Sequence, residues 1–193
     1  MSSFIYLGDF SSILPYDKIL KFAETANWQQ VCSSETDHSK SNRPLDEQKQ
    51  STYYNKHNSS RFDAVVKDQN FFTPEWFRVF RIKNQDYQAK IYKTLPGNIE
   101  PPHVDFFPSF IGHTDKEGNL HSQEYIAEQS KKIIRLWIPL QNSELGHLLF
   151  SPDQVVNKWV KGNVWELVGG KTHGFVNAGR EPRLVLVFTG WRA

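Results

Sequence analysis

Residues 183–191 read Arg-Leu-Val-Leu-Val-Phe-Thr-Gly-Trp. Positions 184 to 188 are all apolar, so a strand here is apolar on both faces and needs cover on both sides. Short runs of the same kind recur back toward the amino terminus: His173–Asn177, Val164–Val168, Leu148–Phe150, Ile133–Leu140 and Gln88–Leu95. Pro96-Gly97, Gly146, Gly162, Gly169-Gly170 and the turn from Gly179 to Pro182 separate them. Strands this short and this regularly punctuated predict a β-sandwich or barrel. Before residue 87 the pattern differs. Residues 4–12 predict a short strand. Pro15 opens a helix over Tyr16 to Trp28, with Ile19, Leu20, Phe22 and Ala23 on one side. Thr73-Pro74-Glu75 starts a second helix, followed by Phe77, Val79 and Phe80. Residues 33–61 are polar and nearly free of aliphatics, which predicts a long loop. Helices first and strands after give an α+β class, with the amino-terminal helices packed on one face of a sheet. The expected layout is one domain over 1–193, with helices and loops over 1–86 and the β core over 87–193.

A chain of 193 residues suits a single core. Its 14 Phe, 7 Tyr and 6 Trp favour strands and concave pockets over a Leu/Ala-rich bundle. A net charge of +2 offers no broad surface for a polyanion, which argues against nucleic acid as a partner. The single cysteine, Cys32, excludes an internal disulfide framework and a Cys-rich zinc finger. The start, MSSFIYLGDFSS, has no basic region followed by a long apolar run. No stretch nears the roughly 18 apolar residues of a spanning helix. The expectation is a soluble, cytoplasmic protein with no membrane association.

The seven histidines bear one-by-one inspection. Acidic residues are common enough that roughly 0.8 His-x-Asp/Glu triplets arise by chance, and two occur: His103-Val-Asp105 and His113-Thr-Asp115. Context chooses between them. The second runs into Lys-Glu-Gly-Asn, a solvated turn. The first follows a strand candidate and precedes Phe106 and Phe107. Residues i and i+2 of a strand face the same way, so an imidazole and a carboxylate at that spacing can bite one metal ion. A facial triad for mononuclear iron needs one more histidine from elsewhere in the fold, and His173, just after Gly169-Gly170, is the candidate. Arg183 then opens an otherwise apolar strand. A cation there needs an anionic partner or a route to water. A guanidinium suits a carboxylate because it donates two parallel hydrogen bonds. A dicarboxylate that chelates iron at one end and meets Arg183 at the other satisfies both requirements, and 2-oxoglutarate is such a molecule.

The ordered set LPG-(x)5-HxD, RLWIPL, KGNVWEL and H-(x)9-RLVLVFTGW resembles the Fe(II)/2-oxoglutarate-dependent dioxygenases, nearest to their aspartyl/asparaginyl β-hydroxylase-like branch. The resemblance covers roughly residues 88–191. It implies a double-stranded β-helix, a cupin-like jelly roll. It implies Fe(II), 2-oxoglutarate and O2 as the reacting set, with a small molecule or peptide as substrate and hydroxylation of an amino-acid side chain as the activity. It makes His103 and His173 iron ligands and Arg183 the holder of the far carboxylate. Tyr92 matches a hydroxyl supporting that carboxylate, and Arg135 an arginine contacting the cosubstrate. The chain departs from the branch in two places. Asp105 stands where the eukaryotic enzymes have Gly, which also disfavours halogenation, and Trp137 replaces a common histidine. The first 85 or so residues match nothing in the family.

Plainer readings stand beside these. Arg183 also suits an ordinary pairing with Glu166 or Glu181, and Arg180 sits in a turn facing solvent. Trp137, Trp159, Trp165 and Trp191 suit a core. His147 suits a core position, and Asn177 a turn support. Lys131-Lys132 reads as a solvated strand start and Cys32 as an incidental thiol. The loops 33–61 and 106–131 are the natural lids. Phe106, Phe107, Tyr125 and the Arg135–Trp137 strand are candidates for the entrance, with Phe107 and Trp137 as substrate-binding residues. Two rival functions remain: a cupin-like metalloenzyme using another divalent metal, and a non-catalytic β-sandwich binding module.

Overall fold

The strand that opens the sequence reading is a central one. In the computed structural model, which describes residues 2–32, 60–66, 70–105, 107–112 and 114–193, β11 (Arg183–Arg192) pairs antiparallel with β4 (Ile82–Thr94) on one side and β6 (Ile133–Pro139) on the other. Its residues alternate between two apolar clusters. Leu186 and Phe188 lie in one, with Leu184 packed against it, while Val185 and Val187 lie in the other. Both predicted covers are present. Helices α1 (Tyr16–Thr25) and α2 (Pro74–Val79) bring Tyr16, Ile19, Ala23 and Trp76 to the first cluster. A second sheet brings Leu149, Val156 and Phe175 to the other.

The larger sheet has the order β1-β9-β6-β11-β4-β3-β2, with β1 Phe4–Asp9, β2 Gln29–Cys32, β3 Ser60–Val65 and β9 Asn163–Leu167. The smaller has the order β5-β10-β7-β8, with β5 Asn98–His103, β7 His147–Phe150, β8 Val155–Val156 and β10 His173–Asn177. From β4 to β11 the chain passes repeatedly from one sheet to the other, and all pairings are antiparallel. That alternation makes the fold a double-stranded β-helix, the jelly-roll layout expected, with α1 and α2 on the outer face of the larger sheet. Two further helices, α3 (Pro108–Ile111) and α4 (Gln123–Ser130), interrupt the segment expected to be a loop between Asp105 and β6.

The helix starts are local chemistry. Pro74 occupies the first turn of α2, and the Thr73 hydroxyl accepts a hydrogen bond from Trp76 N at 3.4 Å. α1 ends at Thr25, three residues before the expected end. Ala26 is extended, and Trp28 folds back so that its Nε1 donates to the Ala23 carbonyl at 3.1 Å, which satisfies an acceptor of the last turn. β1 pairs with β9, and β3 with β4, so the first 86 residues add strands as well as helices to the larger sheet. The polar stretch 33–59 lies outside the described residues.

Candidate metal centre

The candidate metal-ligating side chains meet at the end of β5 and the start of β10. His173 starts β10, and its Cα partner across the ladder is His103, the last residue of β5. Their rings lie 4.6 Å apart between centroids. Asp105 follows two residues after His103. One nitrogen from each histidine and one oxygen of Asp105 all lie within 4.8 Å of one another. His103 Nε2 is 3.9 Å from Asp105 Oδ1, and His173 Nε2 is 3.4 Å from Asp105 Oδ2. Donors at about 2.1 Å from one octahedral ion sit about 3 Å apart when adjacent, so small side-chain rotations would close the set.

The chemistry of the donors tests whether an ion fits. His173 Nδ1 lies 3.0 Å from the Lys171 carbonyl and donates to it. That leaves the neutral ring's lone pair on Nε2, which is buried and accepts no hydrogen bond among the described residues. A lone pair facing an anionic oxygen at 3.4 Å is unfavourable unless a proton or a cation lies between them. The proton's side of this balance follows from the charges and burial around the ring. Burial works against charging His173, but the Asp105 carboxylate beside it outweighs burial and raises its pKa. Burial likewise pushes Asp105 up, yet Arg135 and then the two imidazoles hold it well below the usual carboxylate range. The three residues thus form an anionic, nitrogen-and-oxygen pocket that can hold a divalent metal ion.

Two arginines flank the pocket differently. Arg135, on β6, places Nε 3.1 Å from Asp105 Oδ2, and its Nη2 donates to the Tyr92 hydroxyl at 3.2 Å. Its guanidinium carbon lies 5.8 Å from the centre of the Phe107 ring. Phe107 is buried and has φ +48°, a left-handed conformation that an aromatic residue rarely adopts. Arg183 is only 2% exposed. Its Nη2 donates to Thr94 Oγ1 at 3.0 Å, and its guanidinium carbon lies 4.9 Å from the centre of the Phe175 ring. The His173 and Phe175 rings are 5.8 Å apart. By addition, Arg183 lies no more than about 11 Å from the His173 ring.

The remaining sequence candidates divide. Glu166 pairs with Arg192, so it is not the partner of Arg183. Trp137 is 1% exposed and stacks near Phe175 and Trp159, which places it in the core instead of at an entrance. Tyr125 stacks on His121 at the surface. Asp115 holds its own turn, accepting from the backbone nitrogens of Glu117 and Asn119. His113 and Phe106 lie outside the described residues.

Two residues went unnoticed in the sequence. Thr94, on the same strand face as Tyr92, meets Arg183. Glu100 places Oε1 3.8 Å from His103 Nε2, and its side chain is 13% exposed. Residues i and i+3 of a regular strand face opposite ways. A bulge in the β5–β10 ladder reverses this: between the pairs His173–His103 and Phe175–Glu100, Gly174 alone opposes two residues, 101 and 102. Gly174 permits it, because a Cβ there would meet the Glu100 carbonyl at 2.8 Å. Only an unusual neighbour, Pro101-Pro102 inside a strand, signals the bulge in sequence.

No family model matches the chain, and no curated protein does. Among solved structures it is similar to the cupin domain of Cnp3 from Schizosaccharomyces pombe, at 12% identity and a TM-score of 0.39 over 68% of this chain and 64% of that one. The match thus spans less than two thirds of that domain's length. It is also similar to an uncharacterized Klebsiella pneumoniae protein with a double-stranded β-helix domain (14%, 0.38, 68% and 77%). A third likeness is to KdgF from a Halomonas species (11%, 0.39, 69% and 80%). Likenesses this remote say nothing of activity or ligand. No helix among the described residues is long and apolar enough to cross a membrane.

Proposed function

We propose that this chain is a non-haem Fe(II)/2-oxoglutarate-dependent oxygenase that hydroxylates an unactivated C–H bond of an amino-acid side chain, free or within a peptide. One joint observation carries the reading: the donors of His103, Asp105 and His173 converge on the inner face, with the buried guanidinium of Arg183 within about 11 Å of the His173 ring. Bound Fe(II) and 2-oxoglutarate would supply the oxidative decarboxylation that activates O2 and leaves succinate and CO2.

The chain's residues do the rest. His103, Asp105 and His173 would hold the ion from one side and leave the other side open. Arg183 would take the far carboxylate, held ready by Thr94 Oγ1 and the Phe175 ring. Burial strengthens such a charge-assisted pair. Trp137, Leu149 and Phe175 keep water from the inner end of the cleft. No acid–base pair is required, which fits the lack of paired catalytic carboxylates or a nucleophile triad in the sequence. The choice of an amino-acid side chain rests on the resemblance to the β-hydroxylase-like branch.

Glu100 favours a second reading. A fourth donor beside His103 suits a cupin-like enzyme whose divalent ion has fewer open positions. Anaerobic Fe(II) titration followed by succinate detection tests the choice. The oxygenase reading expects one ion per chain and succinate from 2-oxoglutarate, in small amounts even without the prime substrate. Bound metal with no succinate under any condition supports the second reading. No bound metal overturns both.

A further inference from the structure

A cation already stands beside the carboxylate that would hold a metal ion. Arg135 Nε is 3.1 Å from Asp105 Oδ2, the same oxygen that faces His173 Nε2 at 3.4 Å. An ion bonded to that oxygen at about 2.1 Å would lie within roughly 5 Å of the guanidinium nitrogen. Arg135 has little freedom to leave. It stands on β6, between β11 and β9. Its far end donates to the Tyr92 hydroxyl, the Phe107 ring lies beside it, and its side chain is 15% exposed. The other carboxyl of the cleft, Glu100, faces His103. Two positive groups would therefore share one Asp105 carboxylate at short range and away from bulk water, where repulsion is weakly screened.

We propose that Arg135 is a positioning residue that competes with the metal ion for Asp105, so that the site takes up its ion well only together with a small carboxylate anion bridging ion and guanidinium. The inference rests on the metal centre described above. The anion's charge relieves the repulsion, and its oxygens replace Asp105 as the partner of Arg135. Metal and anion then bind with positive coupling, and the coupling is reciprocal. The alternative role for the same arginine is a brace that holds Asp105 in place for the ion. The two roles predict opposite signs.

The test is Mn2+ affinity of the whole chain, with free Mn2+ held by a metal buffer, with and without saturating oxalate. Oxalate chelates but is too short to reach Arg183. For the natural chain, oxalate should tighten Mn2+ binding by at least about tenfold. In Arg135→Met, Mn2+ alone should bind about tenfold tighter than in the natural chain, and the oxalate effect should shrink to a few-fold. Arg135→Gln serves the same purpose if the Met variant fails to fold. Unchanged or weaker Mn2+ binding in the folded variant overturns the inference and makes Arg135 a brace, while the metal centre stands. An oxalate effect equal in variant and natural chain also overturns it. Absence of Mn2+ binding in every sample, with and without oxalate, overturns the metal centre itself.

Discussion

The two faces of the larger sheet share the same strands and differ in what they bury. On the helix side, Ile91 of β4, Leu136 of β6 and Leu186 and Phe188 of β11 meet Trp76, Phe72 and Ile19, and buried Glu166, opposite Leu136, pairs with Arg192. On the inner side, the alternate residues of those strands include Arg135 and Arg183, and across from them stand His103, Asp105, His173 and Asn177. Apolar packing and one paired carboxylate account for the first face. Burying ions and imidazoles costs stability unless they are paired, so the second face is organised by something besides packing. The comparison breaks first where the effect is largest. Trp76→Ala, at 1% exposure in the helix-side cluster, should cost about 3–5 kcal/mol in chemical denaturation. Metal bound per folded chain should not change. If it falls, the two faces are not separable.

The inner face should respond in the opposite way. His173→Ala should weaken Mn2+ or Fe(II) binding by at least about a hundredfold, read by metal titration, with a far smaller loss of stability than Trp76→Ala. Arg183→Met should raise the 2-oxoglutarate concentration needed for succinate formation by roughly 10- to 100-fold, the range of one charge-assisted contact. Metal affinity without cosubstrate should stay the same. An unchanged cosubstrate requirement would leave Arg183 as a structural cation supported by Thr94 and Phe175, and the diacid reading would lose its anchor.

The same contrast governs what the sequence could reveal. β11 was legible because a short apolar run rich in Val, bounded by Pro182 and Gly190, suits a strand buried on both faces, and the cover on both sides followed. His103 and His173 were legible from their spacing and punctuation, and the ladder sets one against the other, whereas Asp105 lies two residues past the end of β5 and reaches the site without strand alternation. What stayed hidden depends on pairing between distant segments. β1 and β3 are short, partly polar runs whose strand character comes from β9 and β4. Glu100 faces the cleft only because a bulge adds a residue to β5. The approach of Arg135 to Asp105 needs β6 and the end of β5 to be placed, and no local pattern encodes that. Trp137, offered as a substrate contact, is one position from the helix-side face yet fully buried between the sheets, because the smaller sheet covers it.

The smallest expected effect concerns His147, the inner-face histidine outside the metal centre. It is fully buried, accepting from Glu144 N at Nδ1 and facing the Glu181 carbonyl through Nε2, an arrangement that suits a neutral ring. Burial lowers its pKa, Arg183 adds to this, and the Glu181 carbonyl opposes it only in part. Unfolded, the ring titrates near 6.5. Above that pH neither state is charged and the shift has no effect. As pH falls below about 6.5 the unfolded chain takes up the proton first, so stability declines until the folded ring also titrates, with a limiting slope of about 1.4 kcal/mol per pH unit. His173 acts with the opposite sign. Its pKa is raised in the folded chain, so its contribution is present at low pH and is lost as pH rises through the folded value. A single stability curve mixes the two, and the difference between the natural chain and His147→Gln isolates the first. That difference should be constant above pH 7 and should shift in favour of the variant as pH falls from 6.5 to 5. A difference independent of pH would mean that His147 is not held neutral, and that the inner face tolerates a second buried cation beside Arg183.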